Sequence, residues 1–229
     1  MNILVTGASR GIGECIAKSL DGNIFAVARN EEKLKAYKNY LVCDFSNDLQ
    51  KLGEYIEQNK IDVVINNAGE YIYSELYNAN FEDIESQIRV NLTVPAYIIS
   101  KALPYMKQQK WGRIINIGSI SGVLGESGAS IYSASKAGLI GLTKAVALEV
   151  AANNITINTI NPGWVDTDLG NESIDSSEFS KNEIVECIPQ RRFVEPSEIV
   201  GMINYLISEQ AKGVTGQSIN LCAGMTVGY

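Results

Sequence analysis

Histidine is absent from all 229 residues. The one side chain that ordinarily titrates near neutrality is therefore missing, and acid–base chemistry must come from a tuned residue of another kind. The commonest metal ligand goes with it. Four cysteines, Cys15, Cys43, Cys187 and Cys222, lie far apart with no C-x-x-C pair, so no metal site is expected. They read as reduced, mostly buried thiols, and a cytoplasmic location is expected. Positive charge is scarce: 19 Lys and Arg stand against 26 Asp and Glu, for a net charge of −7. That balance offers no footprint for nucleic acid or an anionic membrane, and neither is expected as a partner. The opening MNILVTGASRG has an apolar run too short for a signal peptide or a membrane span. No fixed-period repeat, low-complexity tract or Pro/Gly/Ser linker divides the chain, so a single domain over 1–229 is expected.

Apolar residues make up 45%, enough for a sizeable core. They fall into short β-branched runs at 2–6, 23–28, 40–44, 61–69, 112–119, 155–163 and 217–222. Between the runs lie helical patterns: 11–20, 31–37, 48–59, about 80–90, 95–109, 131–152 and 196–208. Near-continuous apolar strands alternating with helices predict an α/β fold, a mostly seven-stranded parallel sheet covered on both faces. The polar stretch 166–190 has weak periodicity and reads as a lid over a site.

The first strand runs into TGASRGIG, with Gly7, Gly11 and Gly13 at the first strand–helix junction. Glycines there let backbone approach a pyrophosphate, and the helix N-terminus offers N–H donors. Ser9, Arg10 and Ile12 belong to the same loop. Taken alone, the loop also fits a tight turn without a ligand. Further on, YSASK sets Tyr132 and Lys136 one helical turn apart. A free phenol has a pKa near 10, so about one in 10³ is ionised at pH 7. A neighbouring ammonium is expected to lower that pKa and make Tyr132 a working acid or base. An exposed i, i+4 pair with no function is the other reading of those two letters.

Several motifs in order resemble the short-chain dehydrogenase/reductase family: TGASRGIG, NNAG (66–69), Asn91, Ser119 thirteen residues before Tyr132, YSASK, NPGWVDTD (161–168) and VTGQSINLCAGM (214–225). The resemblance covers almost the whole chain and runs closest to the 3-oxoacyl-(acyl-carrier-protein) reductases. It implies a Rossmann-like doubly wound sheet and hydride transfer between a nicotinamide and a carbonyl carbon. Tyr132 then gives or takes the proton, Ser119 holds the carbonyl oxygen, and Lys136 contacts the nicotinamide ribose. Asn91 holds a helix distortion and a proton-relaying water. Asp44 meets the adenine amino group, unless it is a plain strand-end cap. Asn67, Ala68 and Gly69 pass the adenosine ribose, while Asn66 ties strands. Pro162, Gly163, Val165 and Thr167 meet the carboxamide. Arg10 and Arg29 suit a ribose 2′-phosphate through charge-assisted bonds, which implies NADP(H), with NAD(H) as the alternative. Ile120, Val123, Trp164 and Leu169 are candidate pocket walls or ordinary core. Lys107, Lys110, Arg113, Arg191 and Arg192 are candidates for docking an acidic carrier, or solubilising charges.

The implied activity is NADPH-dependent reduction of a small or carrier-bound ketone, with a 3-oxoacyl thioester first. A dehydrogenase of a sugar, polyol or other secondary alcohol is the alternative, and a non-catalytic NADP sensor the third reading. Helices 95–109 and 131–152 are implied to pair subunits in a homodimer or homotetramer.

Overall fold

The structure, a computed structural model, describes residues 1–167 and 180–227. Strands β1 (Asn2–Thr6), β2 (Asn23–Ala28), β3 (Asn39–Val42), β4 (Val63–Asn66), β5 (Gly112–Ile117), β6 (Ile155–Pro162) and β7 (Ser218–Leu221) form one sheet. Its order is β3-β2-β1-β4-β5-β6-β7, with every neighbouring pair parallel. Chain order reverses between β1 and β4. Such a reversal leaves a crevice at the carboxyl ends of the strands.

Strand periodicity explains the two-sided core. Side chains alternate faces along a strand. Ile3, Val5, Ile65 and Ile115 therefore pack on one face, with Ile16 of α1 (Gly11–Ser19) and Ile199, Ile203 and Leu206 of a helix at Pro196–Ile207. Leu4, Val64 and Ile114 pack on the other. There they meet Leu52 and Ile56 of α3 (Leu49–Asn59), Ile98 and Met106 of α5 (Val94–Gln109), and Val146 and Val150 of α7 (Ser130–Val150). Each such side chain contributes about 1.5–3 kcal/mol when fully buried. Both faces are covered, and that is why the strands read as unbroken apolar runs.

Among the described residues the remaining α-helices are α2 (Glu31–Leu34), α4 (Phe81–Ile88), α6 (Ser121–Leu124), α8 (Lys181–Cys187) and α9, the helix at Pro196–Ile207. Between α4 and α5 the backbone widens into a π turn at Arg89–Thr93. The expected 31–37 helix stops at Leu34 and gives way to turns. The segment expected to be a lid contains α8, opened by a capping box in which Ser180 and Glu183 bond each other's backbone N–H. The rest of that segment, 168–179, lies outside the described residues.

Candidate active site

A cleft of about 1380 Å³ opens along the carboxyl ends of the strands. Its floor is the glycine loop. Gly7 has φ +68° and Gly11 φ +55°, both in the left-handed region. A Cβ on Gly13 would stand 2.3 Å from the Gly7 carbonyl oxygen and 2.3 Å from Asn67 Nδ2. One on Gly7 would meet Asn67 and Ala68. Only glycine lets the loop pack this tightly on the NNAG segment. The N-cap residue Arg10 makes no side-chain cap bond to α1, and the first turn of the helix, Gly11 to Glu14, lines the cleft. These features fit a dinucleotide pyrophosphate.

Thr6 fastens the opposite wall. Its hydroxyl accepts the backbone N–H groups of Asn67 and Ala68, each at 3.0 Å. Asn67 Nδ2 donates back to the Thr6 carbonyl at 2.9 Å. Asn66 points away and donates to Asn116 Oδ1 at 2.8 Å, linking β4 to β5 as expected. Ser9, Arg10, Gly11, Ile12, Arg29, Lys33 and Asp44 line one end of the cleft. Asp44 Oδ1 accepts Ser46 N–H at 3.0 Å, and its own N–H bonds Asp48. The bond from Ser46, with Arg29 nearby, holds its carboxyl below the usual range. Its strand-end capping role is therefore present in the structure.

Ser119, Tyr132 and Lys136 line the other part of the cleft. Ser119 follows β5, and Tyr132 lies in the first turn of α7. They meet because Gly122 lets α6 press on α7: a Cβ there would stand 2.7 Å from the Lys136 carbonyl carbon. Ser119 lies near enough to the Tyr132 hydroxyl to favour its ionised form. Lys136 is 3% exposed, donates to Ile117 O at 2.9 Å, and has Nζ 5.6 Å from the Tyr132 ring centroid.

The ionisation of this group differs from the sequence expectation. Desolvation pushes the Tyr132 phenol up, to about 12, and the Glu126 carboxylate adds to the rise while Ser119 opposes it. Lys136 does not pull the phenol down. It is desolvated itself, which pushes its ammonium down to about 8.

Asn91 lies in the π turn and is buried. Its side chain clamps Glu70, accepting its N–H at 2.9 Å and donating to its carbonyl at 2.8 Å. A Cβ on Gly69 would lie 3.3 Å from Asn91 Oδ1 and 3.6 Å from Lys136 Nζ, so Asn91 and Lys136 converge behind the cleft wall.

Pro162, Gly163, Val165 and Thr167 complete the lining. Ile120 and Trp164 line it too. Val123 is 43% exposed and is not part of the lining, because α6 turns it to solvent. Leu169 lies outside the described residues. Of the basic residues proposed for carrier docking, Arg113 is withdrawn from the surface and two others are paired. Arg113 is buried, stacked on Trp111 and paired with Glu209. Arg191 and Arg192 pair with Glu186 and Glu198.

Sequence reasoning missed Tyr71 and Ser121. Tyr71 donates to Glu126 Oε1 at 2.9 Å across 55 residues of chain, a pairing no local pattern announces.

The short chain dehydrogenase family model matches residues 1–178. The 3-oxoacyl-[acyl-carrier-protein] reductase FabG of Rickettsia felis is 35% identical over 97% of this chain and 95% of its own. A crystal structure of a variant actinorhodin polyketide ketoreductase with NADPH has 33% identity and a TM-score of 0.91, covering 99% of this chain and 97% of that one. YwfH, an NADPH dependent reductase involved in bacilysin biosynthesis, has 27% identity and a TM-score of 0.92, over 100% and 99%. The chain belongs to the short-chain dehydrogenase/reductase family, as an NAD(P)-dependent oxidoreductase acting on carbonyl or CH–OH groups.

Proposed function

We propose that this protein is an NADPH-dependent reductase that converts a 3-oxoacyl thioester to its 3-hydroxy product. The observation that carries the reading is the Ser119–Tyr132–Lys136 cluster set in one cleft with the glycine cradle. The names of the Rickettsia relative and of the NADPH-bound ketoreductase support the substrate class and the cofactor.

In this reading Gly7 to Gly13 and the α1 N-terminus hold the pyrophosphate. Arg10 and Arg29 hold the 2′-phosphate, and Asp44 meets the adenine. Asn67, Ala68 and Gly69 flank the ribose, while Pro162, Gly163, Val165 and Thr167 seat the carboxamide. A bound reduced nicotinamide supplies the hydride. Tyr132 Oη, pushed up to about 12, is fully protonated at neutral pH and is loaded as an acid. It gives its proton to the carbonyl oxygen, which Ser119 Oγ holds in place. Lys136 Nζ, pushed down to about 8, is close enough to neutrality to return a proton to the phenolate. Asn91 keeps the wall behind Lys136 in position through Glu70. The reverse reaction needs phenolate, and the same desolvation works against it.

The segment 166–192 acts as the substrate lid of a single cytoplasmic domain. Subunits pair through α5 and α7; on α7, Ala134, Ala137, Gly141 and the 87%-exposed Leu148 lie open. A second reading, a polyol or sugar dehydrogenase, is favoured by one observation: Glu70, Tyr71 and Glu126 give the cleft a polar wall. The test is a carbonyl panel assayed with NADPH and NADH in parallel. Acetoacetyl thioesters with NADPH should give the highest kcat/KM. Higher values on sugars or polyols would promote the second reading. NADPH binding without turnover on any substrate would mark a sensor.

A further inference from the structure

A hydrogen-bonded chain runs from the catalytic cluster to a carboxylate. Ser119 Oγ donates to Ser121 Oγ at 3.0 Å. Ser121 Oγ donates to Glu126 Oε2 at 2.6 Å. Glu126 Oε1 accepts the Tyr71 hydroxyl at 2.9 Å. Both carboxylate oxygens therefore have donors inside the protein. Ser121 is buried, and its backbone N–H donates to Ser119 Oγ at 3.1 Å.

The direction of this chain has a consequence for Tyr132. A hydroxyl has a single hydrogen to give. An ionised carboxylate accepts only, so it commits the Ser121 hydrogen. In the protein without substrate, Ser121 Oγ is then left with lone pairs that draw the Ser119 hydrogen away from Tyr132; a bound carbonyl oxygen competes with Ser121 for that hydrogen. Phenolate would need that same hydrogen for its own stabilisation. We propose that Glu126 is a positioning residue which, through Ser121, sets the direction of the Ser119 hydroxyl and keeps Tyr132 in its protonated, proton-donating form. The proposal rests on Tyr132 being the proton donor.

The groups around the phenol agree with this. Among the described residues, Lys136 faces Tyr132 from its own helix, and Tyr71 packs edge-on with ring centroids 5.1 Å apart. Ser119, just past the end of β5, and Glu126, in the turn after α6, act on its ionisation. Of these, the Glu126 charge raises the phenol and Ser119 lowers it. Replacing Glu126 by glutamine removes the charge and supplies an N–H donor. The amide donates to Ser121, Ser121 turns its hydrogen to Ser119, and Ser119 is released toward Tyr132.

The test is direct and needs no cofactor. The protein is labelled with [13Cζ]tyrosine and titrated by NMR. Tyr132 is assigned among the 11 tyrosines by its absence in Tyr132→Phe. Glu126→Gln should lower the Tyr132 midpoint by about one pH unit, so that ionisation at pH 11 rises from about a tenth to about a half. Ser121→Ala, which keeps the charge but cuts the chain, should shift it the same way by less. In the holoenzyme, the alkaline rise of alcohol oxidation should move to lower pH in both variants. A Tyr132 midpoint in Glu126→Gln that is unchanged or higher overturns the proposal. Should that variant unfold at pH 11, an unchanged midpoint in Ser121→Ala overturns it equally. Turnover surviving in Tyr132→Phe would instead defeat the functional reading, while leaving the titration result standing.

Discussion

Lys136→Met should make the cofactor-free protein more stable while abolishing its activity. Methionine keeps the length of the stem and removes the amine. The wild-type ammonium is 3% exposed, and desolvation takes it from the ordinary lysine value of 10.5 down to about 8. At about 1.4 kcal/mol per pH unit, keeping it charged in the folded state costs about 3 kcal/mol. Methionine relieves that cost but deprives the Ile117 carbonyl of a donor, which costs about 1 kcal/mol. The net gain at pH 7 is about 2 kcal/mol, or a Tm rise of about 4–8 °C for a chain of this size. The sign reverses with pH. Below pH 8 the lysine is protonated in both folded and unfolded states, so the whole cost is present. Between pH 8 and 10.5 the folded protein has released the proton while the unfolded chain still binds it, so wild-type stability rises with pH. By pH 10.5 the variant's advantage is gone and the lost hydrogen bond remains. Urea unfolding followed by circular dichroism at pH 7 and pH 10.5, at fixed protein concentration, reads the difference. A variant less stable than wild type by the same amount at both pH values would refute the reasoning.

Two further outcomes follow from the cleft. Arg29→Asp should erase or reverse a preference for NADPH over NADH in kcat/KM, because a carboxylate repels a 2′-phosphate and accepts a ribose diol; an unchanged ratio would remove Arg29 from the cofactor site. Gly13→Ala should weaken NADPH binding at least about tenfold and lower Tm, since its methyl would meet the Gly7 carbonyl oxygen and Asn67 at 2.3 Å; wild-type affinity by fluorescence titration would refute the tight cradle.

The central strands were legible because each is an apolar run buried from both sides, and periodicity reports burial well; the edge strands β3 and β7 are only partly buried. The ordered motifs located the cleft for a similar reason: glycine at 7 and 13 answers to close contacts that a Cβ would break, and glycine at 7 and 11 to a positive φ. Short elements were harder. Helix α6 has four residues, too few to show a period. Helix α8 did carry a signal, Ser180 and Glu183 at capping-box spacing, hidden in a polar segment with little apolar rhythm. The Tyr132 ionisation was misjudged because spacing along a helix shows the ammonium but not the desolvation that acts on both groups. The Glu126 chain depends on Tyr71, brought in from 55 residues away, and on the turn that follows α6.

The central claim is that Tyr132 donates the proton in carbonyl reduction. Tyr132→Phe keeps the ring and removes only the hydroxyl, so the measurement that tests it is NADPH oxidation by wild type and Tyr132→Phe on an acetoacetyl thioester, alongside NADPH affinity by fluorescence. The account predicts a fall in kcat of about 10²-fold or more with affinity retained. Turnover near the wild-type rate in Tyr132→Phe would contradict it.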